Sequence, residues 1–398
     1  MVSTRAKHIK ALLVVVCLSA AAAAISSPVH AAPARVTAEA RLVEVVHLMQ
    51  AAHHRPALLK AQALVNDFPN FQLAQLVYGD LLNAHTRPIT QLGEIPSGQQ
   101  LVHKVKLAHL RQEARQRMAA SSDAPDSQWV PSQLVLASSA NRHVIAVDAS
   151  RSRLYLLERA AGGMRRVADF YVSVGKAGTG KLSEGDNKTP TGVYFVTSYL
   201  DPAKLEDLYG SGALPINYPN QLDRLRGKTG SGIWLHGKPS AEFARAPLAT
   251  EGCVAMSNPD MERVIATVAI GSTPVIIAPS LQWVPPQAVA KQREAFRAVL
   301  NSWVAAKSAS NFQHYQDFYL SPNTTELKRA HKQQAGRRLS ITDLSLLMWK
   351  DEAETMITTF SEVTSSPEKK GKRLVRTTRQ YWTRQGNQWR IFSETKLS

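Results

Sequence analysis

A histidine and a cysteine dominate the stretch from Trp234 to Asp260, WLHGKPSAEFARAPLATEGCVAMSNPD. His236 ends a short apolar run, Gly232-Ile233-Trp234-Leu235, and is followed at once by Gly237. Cys253 follows seventeen residues later, within Thr250-Glu251-Gly252-Cys253. A thiol is a good nucleophile near neutral pH only when a base or a positive charge beside it assists its ionisation. A histidine on an adjacent strand can be that base. A glycine before the thiol lets a substrate carbonyl approach the backbone, where the N–H groups of Gly252 and Cys253 could hold an oxyanion. On spacing alone, a hydrogen-bonded core histidine and a buried structural cysteine fit as well.

The local sequence goes further. HG, a gap of this length, and then [ST]-x-G-C-[VI]-x-[ML]-x-N is similar to the active-site signature of the YkuD-type L,D-transpeptidases, which remodel peptidoglycan. Upstream, Gly175-Lys176 through Glu184-Gly185-Asp186-Asn187-Lys188-Thr189-Pro190-Thr191-Gly192-Val193-Tyr194 resembles the G-K-…-E-G-D-x-K-T-P-x-G-x-Y segment of the same family. The resemblance covers about residues 141–279. It implies a β-sandwich with a capping insertion over the cleft, and a two-step acyl transfer. In that chemistry His236 accepts the Cys253 proton, and the thiolate attacks the amide carbonyl that follows the L-centre of diaminopimelate. D-Alanine leaves, and an amine or water resolves the thioester. The resemblance implies no cofactor, and the sequence has no HExxH or paired Cys/His cluster for a metal. Asp186, Lys188 and Thr189 are read as shaping the sheet and its turns.

Two positions depart from the family pattern. Glu251 stands where many members have His or Arg, and Ala255 where many have an arginine two residues after the cysteine. The substrate-binding candidates are therefore Gly237, Lys238, Arg245 and Glu251, the two cations being the ones a donor carboxylate could meet. Members that detach wall-linked lipoprotein also lack that arginine. An L,D-hydrolase that releases lipoprotein or trims stem peptides stays open beside the transferase, as does a catalytically silent wall-binding scaffold.

Composition sets the compartment. Arg5, Lys7 and Lys10 precede an apolar run from Ala11 to Ala24, and Val29-His30-Ala31 offers a small-x-small cleavage site, the pattern of a secretory signal peptide over 1–31. Cleavage there removes Cys17 and leaves Cys253 as the only cysteine of the mature chain. A lone thiol in an oxidising compartment is a liability unless it is buried or used. The formal net charge is +17. Export to a periplasm or cell envelope turns that charge away from nucleic acid and toward anionic wall polymers. The expected partners are peptidoglycan stem peptides and, on the hydrolase reading, wall-linked lipoprotein, with no stable membrane span once the signal is removed.

The elements that must position these residues follow from periodicity, and the fold class is multidomain. Residues 35–120 read as helical, with Leu42, Val45, Val46 and Met49 on one face and a break at Asn66 to Asn70. The Ala57, Pro69 and Gly79 spacing hints at a tetratricopeptide-like hairpin. Residues 121–132 read as a linker. From Leu134 the period becomes strand-like, in short runs such as His143 to Asp148, Arg153 to Leu157 and Val167 to Val174, giving a mostly-β catalytic domain over 134–279. A proline-marked boundary near Pro285 opens a separate domain over 286–398. It carries 19 basic and 10 acidic residues, a net +9, and is expected to be dispensable for acylation. Its helix-then-strand order and G-x-x-W-R-I ending resemble NTF2-like α+β domains.

Overall fold

The computed structural model describes residues 37–84, 90–94, 104–321, 323–334, 337–365 and 373–397. The expected signal peptide at 1–31 lies outside them.

Helices α1 (Ala38–Gln50), α2 (His54–Asp67), α3 (Gln72–Asn83) and α4 (Lys104–Ser122) follow the helical spacing. Leu42 and Val45, Ala57, Ala61 and Leu64, and Leu73, Val77 and Leu81 meet in one core. A Cβ built on Gly79 would meet nothing within 4 Å, so that glycine is not needed for close helix approach. Helix α4 is polar, yet it buries Glu113 and Arg117. Arg117 bonds Glu113 at 2.8 Å and Glu39 of α1 at 3.2 Å, and its guanidinium lies 4.2 Å over the ring of Tyr171. Glu39 also holds Arg153 at 2.6 Å, so a buried ionic chain fastens the helices to the β region. Breaking such a chain at one member leaves an uncompensated interior charge, a cost of about 3–5 kcal/mol.

The next strands are β1 (Val130–Pro131), β2 (Leu134–Leu136), β3 (His143–Asp148), β4 (Arg153–Ala160), β5 (Gly163–Gly175), β6 (Gly192–Phe195), β7 (Ala213–Pro215), β8 (Trp234–His236), β9 (Leu248–Thr250), β10 (Val254–Met256), β11 (Pro274–Ala278) and β12 (Trp283–Val284). Helix α5 (Gln221–Leu225) lies between β7 and β8, and α6 (Asn258–Ile265) follows β10. Where two stacked sheets are expected, one hydrogen-bonded path runs β6-β11-β3-β4-β5-β10-β8-β7, with β9 joined to β5. Residues from both ends of that path, Tyr194 and Leu214, share a core with Ile145, Phe170 and Val254, so the sheet curls around its own interior. The alternate residues of β3, Val144 and Ala146, face a second core. Burial on both faces explains why His143 to Asp148 reads as an unbroken buried run.

The C-terminal elements are α7 (Ala290–Ser308), α8 (Phe312–Gln316), α9 (Thr324–Gln334), β13 (Arg338–Lys350), β14 (Glu354–Ser365), β15 (Arg373–Gln385) and β16 (Gln388–Lys396). Phe296, Leu300 and Trp303 of α7 pack on Met348, Phe360 and Trp382. The opposite face of this sheet carries Leu347, Ile357 and Tyr381 into the core that holds Val144 and Ala146.

Two expected boundaries are corrected by that packing. Leu134–Leu136 does not open the catalytic sheet, because β2 pairs antiparallel with β13 at the edge of the C-terminal one. The linker expected over 121–132 includes the end of α4 and strand β1, which pairs with β12. The tail is therefore not a separate body. Residues 38–398 form one compact unit.

Candidate active site

Strands β8 and β10 run parallel and side by side, with Ala255 opposite His236 and Val254 opposite Leu235. Cys253 stands two residues before Ala255, and side chains two apart on a strand share a face. The pairing therefore brings Cys253 and His236 to one face from positions seventeen residues apart. On the other side of β10, Ala255 opposes Ser173 of β5.

Backbone demands at the cysteine explain the residues around it. Gly252 has φ +127°, and a Cβ there would meet Lys188 O at 2.8 Å. Thr189 Oγ1 donates to Gly252 O at 2.9 Å and accepts from Gly175 N at 2.8 Å. Thr250 Oγ1 donates to Cys253 O at 2.7 Å. Asp186 accepts from the N–H groups of Leu182, Ser183 and Lys188 and from Lys181 Nζ. Burial opposes ionisation of Asp186, but these donors hold its carboxyl well below the usual range. The Lys176 to Tyr194 segment is thus a frame that helps set the posture of Gly252. Gly252 N also donates to Thr250 Oγ1 at 3.2 Å, so it would have to share that bond to hold an oxyanion.

His236 and Cys253 both rest uncharged. Burial, with the nearby charge of Lys238, pulls His236 down to about 4. Its Nδ1 lies 2.7 Å from Gly237 O, which requires the proton on Nδ1 and leaves Nε2 as the free acceptor. Burial, and then the Glu251 carboxylate, push the Cys253 thiol up, against the N–H of Trp234 and the charge of Lys181. The thiol donates to Gly232 O at 3.4 Å. A neutral thiol on the same face as a neutral imidazole suits general-base transfer of the thiol proton as the nucleophile attacks.

The four substrate-binding candidates fall in different places. Gly237 donates to Tyr209 O at 3.1 Å, and a Cβ on it would meet Asn258 Oδ1 at 2.2 Å, so its smallness is structural. Lys238 is 1% exposed, with its ammonium 3.5 Å from Ser173 Oγ, inside the protein rather than in a cleft. Arg245 is paired with Glu242 at 2.6 Å. Glu251 is exposed at the rim and pairs with Lys176 at 3.2 Å. Among the described residues, no group of three or more His, Cys, Asp or Glu side chains is placed to hold a metal ion.

Two neighbours carried no stated role in the sequence. Asn258 accepts from Lys238 N at 2.9 Å and Ser211 N at 3.0 Å, and donates to Lys238 O at 2.9 Å. That clamp joins the turn at Ser211 to the segment after His236, and only its place in the Cys253 motif could have flagged it. Tyr209 sets its ring 5.3 Å from His236 and 4.8 Å from Trp234. Burial, and then the charge Cys253 would carry, push its phenol up. It lies in an irregular stretch that offers no signal.

Residues 142–277 match the family model of the YkuD L,D-transpeptidase catalytic domain. The fold is shared with Bd1075 of Bdellovibrio bacteriovorus, 24% identical, with a TM-score of 0.57 over 67% of this chain and 98% of that one. It is shared too with the helical cell shape determining protein Pgp2 from Campylobacter jejuni, 20% identical, with a TM-score of 0.51 over 72% of this chain and 100% of that one. No curated protein matches the chain in sequence.

Proposed function

We propose that this chain, whose residues 142–277 are a YkuD-type L,D-transpeptidase catalytic domain, is an exported cysteine acyltransferase of the cell envelope that acts on peptidoglycan stem peptides. The observation that supports this reading is the pairing of β8 with β10, whose register carries His236 and the residues beside Cys253 side by side, with His236 Nδ1 held by Gly237 O. As Sγ bonds to the donor carbonyl carbon, the thiol proton passes to Nε2. Collapse of the tetrahedral adduct expels the terminal D-amino acid as its amine, which takes that proton. The amine of a second stem peptide then attacks the thioester, gives up a proton to His236 and releases Sγ. We read the C-terminal unit, three helices followed by an antiparallel meander, as an NTF2-like domain. Pgp2 is described as determining helical cell shape, and we assign this chain a part in cell shape through the wall.

The hydrolase reading is favoured by one observation. Among the cations of the loop from Gly237 to Thr250, Lys238 is buried and Arg245 is already paired, so neither stands free for a donor carboxylate. Releasing an attached group needs no such contact.

Intact-protein mass spectrometry after incubation with a carbapenem tests the thioester chemistry. A single adduct is expected, lost in Cys253→Ala and slowed about 10²-fold or more in His236→Ala. An adduct that persists in Cys253→Ala overturns it. Muropeptide analysis of a deletion strain separates the two outcomes: lost 3–3 cross-links mark the transferase, and lost free tripeptide or retained wall-linked lipoprotein the hydrolase.

A further inference from the structure

Arg379 of β15 points away from the C-terminal helices and into the seam between the two sheets. It is 6% exposed. Its guanidinium lies 3.2 Å over the ring of Phe195, Nε donates to Thr359 Oγ1 at 3.0 Å, and Nη2 donates to Gly271 O at 3.0 Å. Nη1 has no partner among the described residues, and no carboxylate there pairs with this charge. Burial without a counter-ion pulls Arg379 down to about 10. A buried charge left unpaired is strongly unfavourable, so a position that keeps one has a use for it.

Arg379 lines a cavity of about 380 Å³ between the catalytic and C-terminal sheets. A second arginine, Arg224 of α5, lines it too, and its side chain is exposed. No Asp or Glu is among the lining residues. Polar groups that can bond an oxygen-rich ligand share the wall: Asn217, beside the Tyr381 hydroxyl, and Gln221. A volume of this size, with apolar walls and a few convergent polar groups, suits a small molecule rather than a chain.

We infer that the seam between the catalytic domain and the C-terminal sheet holds a binding site for a small oxyanion-bearing ligand, with Arg379 as its buried anchor and Arg224 at its mouth. The shared chemistry is a carboxylate or a phosphate, because a guanidinium presents paired N–H donors that match either. The site lies on the outer face of the curled sheet, apart from Cys253, and does not depend on the reaction proposed above.

Isothermal titration of the full chain at low ionic strength, with inorganic phosphate and separately with malonate, tests it. One-to-one binding of at least one probe is expected, and the tighter of the two identifies the ligand's acidic group. Arg224→Gln should weaken that binding at least tenfold and Arg379→Gln abolish it. Arg297→Gln, an exposed change on α7, should leave it unchanged. Arg224 has no ion pair to lose among the described residues, so its variant carries the test even if Arg379→Gln does not fold. The inference is overturned if neither probe binds the wild type, if Arg224→Gln binds as well as wild type, or if Arg297→Gln weakens binding equally.

Discussion

The ring of Phe243 stacks on that of Phe71, centroids 4.1 Å and planes 22° apart, and meets Phe68 edge-on at 5.7 Å. Phe243 belongs to the loop that joins His236 to Cys253, and Phe71 to the helical region. Two hydrogen bonds add to this, the backbone Phe243 N to Asn70 O at 3.2 Å and the side-chain Asn70 Nδ2 to Ser240 O at 3.0 Å. The loop between base and nucleophile is therefore seated in the helices rather than loose above the sheet.

Phe243→Ala should slow carbapenem acylation of Cys253 tenfold or more while the chain still folds. Truncating a buried phenylalanine costs about 3–5 kcal/mol, and here that loss falls on the loop's anchor. Phe243→Leu, which keeps the bulk but not the stacking, should fall between. Acylation rates read beside far-ultraviolet dichroism check this. A folded Phe243→Ala with wild-type acylation would separate the helices from the site.

The shared core between the two sheets makes a second expectation. A chain ended at Ser280 would uncover Val144, Ala146 and Ile276, all 0% exposed in the full protein, and would strip the partners from β1 and β2. It should be insoluble, or melt well below the full chain. The sequence leads to a tail dispensable for acylation, and the shared core leads instead to one that completes the fold. A soluble truncation with unchanged Tm and acylation would restore the earlier expectation.

That reversal shows what the sequence carried. The Cys253 and His236 motifs were legible because their residue types are imposed by local demands, such as the positive φ of Gly252 and the Thr189 bond to its carbonyl. The long runs of β3, β5 and α7 were legible because their burial is periodic or continuous. Strand β13 and helix α9 carry little pattern: the first half of β13 is mostly exposed, and α9 buries only His331 and Gln334. Nor could Leu134–Leu136 announce that it pairs with a strand two hundred residues away. The interior place of Lys238, set by Ser173 on β5, is likewise a long-range fact.

Titration of the site has a definite sign. Burial pushes the Cys253 thiol up, so alkylation of the free enzyme by iodoacetamide should climb with pH beyond the range of an ordinary thiol, without a plateau at acid pH. A plateau reaching down to pH 5 would mean a standing thiolate–imidazolium pair. His236 is lowered to about 4 from 6.5, so the unfolded chain binds more protons between those values. Its contribution to stability should accordingly rise with pH from about 4 to about 6.5 and vanish below. His236→Gln should lose that dependence in urea titrations across the same range.

Lys238 decides how the missing arginine at position 255 is to be read. Ala255 is 0% exposed and opposes both His236 and Ser173, and the Lys238 ammonium lies 3.5 Å from Ser173 Oγ. A cation therefore already sits beside the place from which an arginine, common there in the family, would start. Burial, and then the charge of Arg245, pull Lys238 down to about 7, so it is partly charged at neutral pH and lowers His236 from behind. Lys238 should act through the histidine and not on the donor. Lys238→Met should raise the His236 pKa and move the acid limb of kcat/KM to higher pH, while KM for a tetrapeptide donor changes less than twofold. Ala255→Arg should destabilise the chain by setting a second cation against the first, and should be better tolerated when Lys238→Met is added, a coupling expected for residues in contact. A tenfold rise in donor KM with an unmoved acid limb would instead make Lys238 the group that holds the substrate carboxylate, and additive effects of the two substitutions would show that the positions do not meet.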